Sequence, residues 1–252
     1  MRRDTESGTE PGADVTASGD RLPALAALLA ERGSCRGFRP DPVPHATIER
    51  ILAAAQRTAS WCNAQPWRVH LLSGAAIEAA REALPRHAEA HAPDPDFAWP
   101  AEYQGIYLER RRRCGFQLYE AVGVARGDRA GGARQAAENF RLFGAPHVAL
   151  VTTDRELGVY GAVDCGAWVS TFMLAARAAG VASIAQAALA AYPGFWRGRL
   201  GIRSDRLVVC GVSFGYADPA HPANAFRTER AALGEVVEWV SDAPAAPPAP
   251  AA

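Results

Sequence analysis

The sequence contains no lysine, and all 27 of its Lys-or-Arg positions are arginine. Without a lysine amine, the chain cannot form the Schiff base on which pyridoxal-phosphate enzymes depend. It also lacks the phosphate-binding lysine of a Walker loop. The formal net charge is zero, which argues against a protein that binds nucleic acid or anionic membranes through a strong basic excess.

Cysteine is scarce and follows no recognisable spacing. The five cysteines are scattered, odd in number and form no Cys-x-x-Cys pair, so neither a disulfide framework nor a zinc site is favoured. No apolar core typical of a secretory signal lies near the amino terminus. The most apolar run, Cys165 to Ala176, is expected to be a buried helix too short to cross a bilayer. The sequence therefore predicts a protein of the reducing cytoplasm.

The chain is long enough and apolar enough, at 252 residues and 49% hydrophobic content, to bury a core as one domain. We expect residues 1–19, which are polar, to form a disordered leader. Residues 20–242 should form the folded domain. Within it, the prolines at 219 and 222 predict that residues 217–240 run as an extended arm. We expect residues 243–252 to form a disordered Ala/Pro tail.

Hydrophobic periodicity indicates a mostly helical chain with a few strands. The helix at 160–179 is apolar on nearly every side, so it needs cover all round, which a subunit interface would supply. The predicted helices are 22–32, 44–58, 75–91, 103–122, 134–143, 160–179 and 192–200, and the predicted strands are 67–72, 147–152, 181–185 and 206–215.

Polar side chains stand where one helix ends and the first strand begins. Pro66 biases Gln65 towards an extended backbone and so fixes this junction. Asn63 and Gln65 each carry donors and an acceptor, which suits them to the edge of a heteroaromatic ring. The alternative is that these amides only satisfy the backbone of their own loop.

A second polar cluster follows the first predicted helix. Arg32, Ser34 and Arg36 offer two guanidinium groups and a hydroxyl within five residues, and Arg230 adds a third guanidinium from far along the chain. Arginine forks bind phosphate oxygens bidentately. Each residue alone suits a solvated surface, but together with the amide loop they favour a cofactor with both a phosphate and a ring.

Four motifs occur in a characteristic order. They are Arg-x-Ser-x-Arg at 32–36, Ser-x-x-Asn-x-Gln-Pro-Trp at 60–67, a Gly-rich segment at 210–216 and Asn-x-Phe-Arg-x-x-Arg at 224–230. Over residues 22–240 the chain resembles the FMN-dependent nitroreductase family, and its nitrobenzoate-reductase-like branch in particular. The resemblance implies an α+β fold, with a central mixed β-sheet flanked by helices. It also implies an intertwined homodimer with FMN at the subunit interface and a C-terminal arm that embraces the partner.

The resemblance further implies a site. Trp99 and Tyr103 would stack on the substrate, although plain packing explains them equally well, and for Phe97 and Phe116 a core position is favoured. Three positions depart from the family pattern: Gly33, Ala59 and Ala185. The implied cofactor-binding residues are Arg32, Gly33, Ser34, Arg36, Ser60, Trp61, Asn63, Gln65, Gln186, Ala187 and Arg230, with backbone or side-chain donors of Gln186 and Ala187 at the ring edge.

The implied activity is reduction of nitroaromatic, quinone or related conjugated acceptors by NADH or NADPH, through ping-pong hydride transfer at flavin N5. No metal and no catalytic side chain is expected. The alternatives are a flavin-dependent dehydrogenase or oxidase acting on a small heterocycle, and a non-enzymatic flavin-binding protein.

Two other motifs are set aside. The Gly-x-Ser-x-Gly sequence from Gly211 to Gly215 fits a hydrolase nucleophile elbow, but Pro219 and Pro222 prevent the helix that must follow. His87 and His91 have metal-ligand spacing without a third ligand in view, so surface positions are favoured.

Overall fold

A computed structural model describes residues 19–241 of the chain. The predicted leader and the Ala/Pro tail therefore lie outside the described residues, apart from Gly19. Within this range the chain alternates helices and strands in an α+β order. The helices are α1 (Leu22–Glu31), α2 (His45–Ala55), α3 (Ala75–Ala90), α4 (Gly105–Ala121), α5 (Arg129–Ala137), α6 (Gly158–Ala178) and α7 (Pro193–Leu200), and the strands are β1 (Arg68–Ser73), β2 (His147–Asp154), β3 (Ala182–Gln186) and β4 (Arg206–Gly215).

The four strands form one sheet in the order β1-β2-β4-β3, and every neighbouring pair is antiparallel. The two central strands are almost wholly buried, which fits their runs of valine and leucine. The predicted α+β class is confirmed. The sheet was expected to be mixed, that is, to contain parallel and antiparallel pairs. Among the described residues, the parallel pairing is a single bridge between Ser34 and Ser183.

Helices cover both faces of the sheet. One face carries a core in which Trp168 and Phe172 of α6 stack with ring centroids 5.2 Å apart. The other face is covered by α3 and α7, where Leu84 and Trp196 are fully buried. Burying a large apolar side chain stabilises the fold by about 1.5–3 kcal/mol, so these two layers fix the sheet that carries the flanking loops.

Helix α6 is only partly covered in the single chain. Trp168, Val169 and Phe172 face the sheet, whereas Val159, Tyr160 and Val163 are exposed. With its flanking residues, the apolar run at 165–176 belongs to a longer stretch, Arg155–Ala178, which by length and composition alone could cross a membrane. The packing of α6 against α2 and the sheet instead identifies it as a core helix.

Three local predictions need correction. Helix α5 begins five residues earlier than predicted, because the Asp128 carboxylate accepts a hydrogen bond from Gly131 N–H at 2.8 Å and caps its first turn. The alternation of Trp67, Val69 and Leu71 predicts that Leu71 lies on the buried face of the first strand, but Leu71 is exposed and Leu72 is buried. The arm is not extended throughout, since it contains short 3-10 turns at Pro222–Asn224 and Leu233–Glu235.

The beginning of the arm pairs with the segment that follows α1. Asp218 N–H donates to Gly37 O at 3.0 Å, and Arg39 N–H donates to Tyr216 O at 2.8 Å. These bonds bring the two arginine-bearing motifs, which are about 190 residues apart in sequence, to one end of the sheet.

Candidate functional site

A cavity of about 190 Å³ lies between the segment after α1 and the arm. Arg32, Ser34 and Arg36 line it from the amino-terminal side, and Arg230 lines it from the arm. The structure therefore places together the four polar side chains that sequence reasoning grouped as a phosphate site. Arg227, to which no role was given from sequence, lines the same cavity.

The charge around this cavity is entirely positive. It is lined by four arginines and by no aspartate or glutamate. Within residues 19–241, none of Arg32, Arg36, Arg227 and Arg230 has a carboxylate oxygen within 4.0 Å. Burial lowers the pKa of the Arg36 guanidinium, but arginine stays protonated at any physiological pH. Uncompensated guanidiniums on one concave surface make an anion-binding site.

The segment that carries Ser34 and Arg36 is fixed from both sides. Cys35 N–H donates to Ser183 O of β3 at 3.1 Å, which ties the segment to the sheet edge. Asn224 ties it to the arm: its Oδ1 accepts from Arg36 N–H at 2.8 Å, and its Nδ2 donates to Gly37 O at 2.8 Å. Sequence reasoning missed Asn224, although the residue opens the Asn-x-Phe-Arg-x-x-Arg motif.

The loop with the predicted ring-binding amides is exposed and strained. Cys62, Asn63 and Gln65 all have left-handed backbones, with φ of 52°, 56° and 48°. For residues other than glycine such conformations cost about 1–3 kcal/mol each and persist only where neighbours hold them. Ser60 Oγ accepts from Gln65 N–H at 2.9 Å and closes the loop on itself.

Helix α6 holds this loop in place. The Asp164 carboxylate accepts from Trp61 N–H at 3.2 Å, and the Trp61 ring packs edge-on against Tyr160 with centroids 4.6 Å apart. The Trp61 side chain nevertheless remains 61% exposed. A strained, anchored loop that presents polar and aromatic groups to solvent suits ligand binding better than packing.

The two amides of the loop differ in availability. Gln65 Oε1 accepts from Gln56 Nε2 at 2.9 Å, and Gln65 Nε2 lies 3.2 Å from both Asn63 O and Asn63 Oδ1. The side-chain amide of Gln65 therefore forms hydrogen bonds within the chain, as in the alternative left open for these amides. Within the described part of the chain, the Asn63 Nδ2 donor has no such acceptor. Ser60, Trp61, Asn63 and Gln65 do not line the arginine-lined cavity.

Gln186 and Ala187 lie at the end of β3, in different environments. The Gln186 side chain is buried: its Nε2 donates to Asn139 O at 3.0 Å and its Oε1 accepts from Ser213 Oγ at 2.6 Å. The side-chain amide of Gln186 is thus engaged within the chain, which favours the backbone among the two donors expected at this residue. Ala187 is exposed. Sequence reasoning did not identify Asn139 and Ser213 as partners of Gln186, because these contacts form only in the folded chain.

The aromatic residues proposed for substrate stacking lie on the surface. Trp99 and Tyr103 are both 45% exposed, and the Arg111 guanidinium lies 5.5 Å from the Tyr103 ring centroid. Phe116 was expected in the core but is 46% exposed, with Arg126 above its ring. Phe97 is partly buried. Trp99, Tyr103 and Phe116 are thus available to a ligand or to another subunit.

Three of the five cysteines and the serine of the Gly-x-Ser-x-Gly sequence are poorly placed for catalysis, whereas Cys62 is exposed and Cys114 is partly buried. Burial raises the pKa of the Cys35 thiol, and raises the pKa of Cys165 and of Cys210 to about 12. Ser213 is fully buried in the sheet, so it cannot act as a hydrolase nucleophile. Among the described residues, no group of three or more His, Cys, Asp or Glu side chains could hold a metal ion. His87 of α3 and His91, which follows the end of that helix, stack with ring centroids 4.0 Å apart.

Known proteins resemble the chain over almost its whole length. A family model described as "Nitroreductase family" matches residues 29–216. Nitroreductase NfnB of Mycolicibacterium smegmatis is 36% identical over 233 residues, which cover 92% of this chain and 96% of that protein. A 4-nitrobenzoate reductase of Pseudomonas putida is 32% identical, over 81% of this chain and 90% of that protein. The crystal structure of the FMN-dependent nitroreductase NfnB from Mycobacterium smegmatis in complex with NADPH superposes with a TM-score of 0.83 and 37% identity, over 88% of this chain and 100% of that one.

Proposed function

The chain belongs to the nitroreductase family, and we propose that it is an FMN-dependent oxidoreductase that uses NADH or NADPH to reduce nitroaromatic, quinone or related conjugated acceptors. The observation that carries the cofactor assignment is the cavity with four arginines and no carboxylate. A phosphate monoester is close to a dianion at neutral pH, so it neutralises a cluster whose charges otherwise repel one another.

Within this site each polar residue has a definite task. Arg32, Arg36 and Arg230 bind the phosphate oxygens of FMN, and the Ser34 hydroxyl and the Gly33 backbone face the phosphate and the ribityl chain. When bound, FMN supplies a ring that takes a hydride from the nicotinamide and passes it on to the acceptor in a separate half-reaction. The protein needs no acid or base for hydride transfer, which agrees with the buried state of Cys35 and Ser213.

The ring is bound by groups that lie apart from the arginine cavity within one chain. Asn63, Trp61 and Ser60 present an exposed loop, Gln65 shapes it, and the Gln186 and Ala187 backbone borders the ring. A two-fold axis can bring the loop of one chain to the cavity of its partner, so we place FMN at the interface of a homodimer. The exposed face of α6, with Val159, Tyr160 and Val163, supplies the apolar surface for this interface.

The substrate binds on the open face of the ring. Trp99 and Tyr103 are exposed aromatics that stack on nitroaromatic or quinone acceptors. The relatives named nitrobenzoate reductase and nitroreductase support acceptors of this class, and the relative in complex with NADPH supports a nicotinamide donor. We place the enzyme in the cytoplasm, where its five free cysteines stay reduced. Its functional unit is residues 20–242, with the arm at 217–240.

One experiment separates this function from its alternatives. The purified chain should be yellow, its flavin should be bleached by NADH or NADPH under anaerobic conditions, and a nitrobenzoate or a quinone should restore the colour. A flavin that nicotinamides leave oxidised but a small heterocycle bleaches would identify a dehydrogenase or oxidase instead. A flavin that none of these reagents reduces would identify a binding protein, and a colourless protein that takes up no FMN would overturn the cofactor assignment.

A further inference from the structure

The Gly-x-Ser-x-Gly sequence of β4, which cannot act as a nucleophile elbow, packs against the end of β3. Its serine, Ser213, donates from Oγ to Gln186 Oε1 at 2.6 Å. Gln186 Nε2 donates to Asn139 O at 3.0 Å and lies 3.2 Å from Asn139 Oδ1. Ser213 is fully buried and Gln186 is 2% exposed. The amide oxygen and both amide hydrogens are thus bonded within the chain, which holds the last residue of β3 in one conformation.

Gly211, the first residue of the same sequence, makes room for the 3-10 turn that follows β3. This turn, Ala187–Ala191, contains the fully buried Leu189, whose carbonyl accepts from Trp196 Nε1 at 2.6 Å. A Cβ built on Gly211 would overlap Leu189 Cδ1 and would lie 3.2 Å from Leu189 Cβ, so a side chain at position 211 would displace the turn. The glycine therefore lets the turn lie directly against β4.

We propose that Ser213 and Gly211 are positioning residues of the flavin site, and that the reduction potential of the bound flavin depends on them. The inference rests on the proposed function, in which the backbone at 186–187 borders the ring. Ala187 is exposed, whereas Gln186 before it and Leu189 after it are buried and held from β4. Groups that bind a ligand must be held within about 0.5 Å of their productive positions. A backbone group held in this way interacts unequally with the oxidised and the reduced ring, because the two forms differ in charge and in protonation.

The test measures the midpoint potential of the bound flavin in the full-length, FMN-loaded protein, for wild type, Ser213→Ala and Gly211→Ala. Ser213→Ala leaves Gln186 Oε1 without its donor, and Gly211→Ala pushes the turn away from β4. In both variants the ratio of the affinities for reduced and oxidised FMN should change by about tenfold, which is about 30 mV for a two-electron couple. Ser73→Ala is the matched control in β1, where the hydroxyl lies 2.6 Å from His147 Nδ1. It should keep the wild-type potential.

Thermal unfolding of the same proteins separates positioning from a purely structural role. A Ser213→Ala protein that melts earlier but keeps the wild-type potential would overturn the inference, and so would an equal shift of potential in Ser73→Ala. If Ser213→Ala does not fold, Gln186→Met decides by the same measurement, because methionine fills a similar space without these hydrogen bonds. These results leave the proposed function intact. A wild-type chain that takes up no FMN would overturn the proposed function and this inference with it.

Discussion

The side chain of Asn224 forms hydrogen bonds with the backbone of Arg36 and Gly37, as a neighbouring strand would. Its Oδ1 accepts from Arg36 N–H at 2.8 Å, while its Nδ2 donates to Gly37 O at 2.8 Å and to Asp218 O at 2.9 Å. One amide thus joins the amino-terminal arginine segment to the arm that carries Arg227 and Arg230. The geometry of the cavity depends on this joint, although Asn224 does not line the arginine-lined cavity.

Asn224→Ala should therefore reduce cofactor affinity without removing a charge. The variant leaves the Arg36 N–H without its acceptor, while Gly37 O and Asp218 O each lose one donor and keep another. An unpaired group costs about 1–3 kcal/mol of stability where it is buried and less where it is partly exposed. Part of the binding free energy of FMN is then needed to order the arm, so FMN affinity should fall by about tenfold. Fluorescence titration and thermal unfolding measure both effects. Ala225→Ser, at the exposed neighbouring position, should match wild type. Wild-type FMN affinity in Asn224→Ala would show that the joint is dispensable.

Asp164 should control activity more than stability. Its carboxylate accepts a hydrogen bond from Trp61 N–H at 3.2 Å, in a loop where three residues have left-handed backbones. With Asp164→Ala the loop can relax its strain, so stability should change by less than about 1 kcal/mol. The ring-binding groups would lose their preset positions, and kcat/KM for a nitroaromatic acceptor should fall by about tenfold. Asp164→Asn, which keeps an acceptor oxygen, should fall in between. A large loss of melting temperature with normal kcat/KM would contradict this assignment.

Much of the fold can be predicted from periodicity, because the strongly patterned elements carry their own signal. The strand at 206–215 and the helix over 160–179 lie within two residues of β4 and α6. Helix α5 was misplaced because Gly131 and Gly132 weaken its propensity, and its start is set by an Asp128 cap. The need for cover beyond the single chain was predicted for α6, but which of its faces is exposed could not be, since the helix is apolar on nearly every side.

The sequence predicted individual groups of site residues, but not all the contacts that position them. Arginine spacing at 32–36 and the distant Arg230 pointed to one anion site, and they line one cavity. Arg227 was not singled out from the sequence, although it lines the same cavity from the arm. The sequence could not distinguish a backbone from a side-chain donor at Gln186, because the partners of its amide, Asn139 and Ser213, are distant in sequence.

His147 should make the fold sensitive to acid. The ring is buried, Nε2 accepts from Val43 N–H at 2.9 Å, and Nδ1 lies 2.6 Å from Ser73 Oγ, to which its proton is donated. Burial lowers the pKa of His147 below its usual value. As pH falls below about 6.5, the unfolded chain takes up a proton that the folded chain refuses. Stability contributed by the neutral ring is thus complete above about pH 7 and is lost as pH falls, at up to about 1.4 kcal/mol per pH unit.

His147→Gln isolates this effect. The pKa values of His70 and His87 are also lowered by burial, but both residues remain in the variant. Denaturant unfolding between pH 5 and pH 8 should show a steeper loss of stability for wild type than for His147→Gln. The variant itself should be less stable at pH 8 by about 1–3 kcal/mol, because Val43 N–H and Ser73 lose a well-placed partner. Parallel pH profiles for the two proteins would rule out His147 as the sensitive group.

The exposed face of α6 should decide both assembly and cofactor binding. Val163 is 59% exposed in the single chain, so an arginine there costs the isolated subunit little. At a dimer interface the same charge would be buried without a partner, which costs several kcal/mol. Val163→Arg should therefore elute as a monomer in size-exclusion chromatography with light scattering. It should also lose FMN, because the cavity of one chain and the Asn63 loop of the other no longer meet. Ala79→Arg, on the exposed side of α3, should remain dimeric and yellow. A dimeric, fully yellow Val163→Arg protein would place the interface on another surface, and a monomer that keeps its FMN would show that one chain completes the site alone.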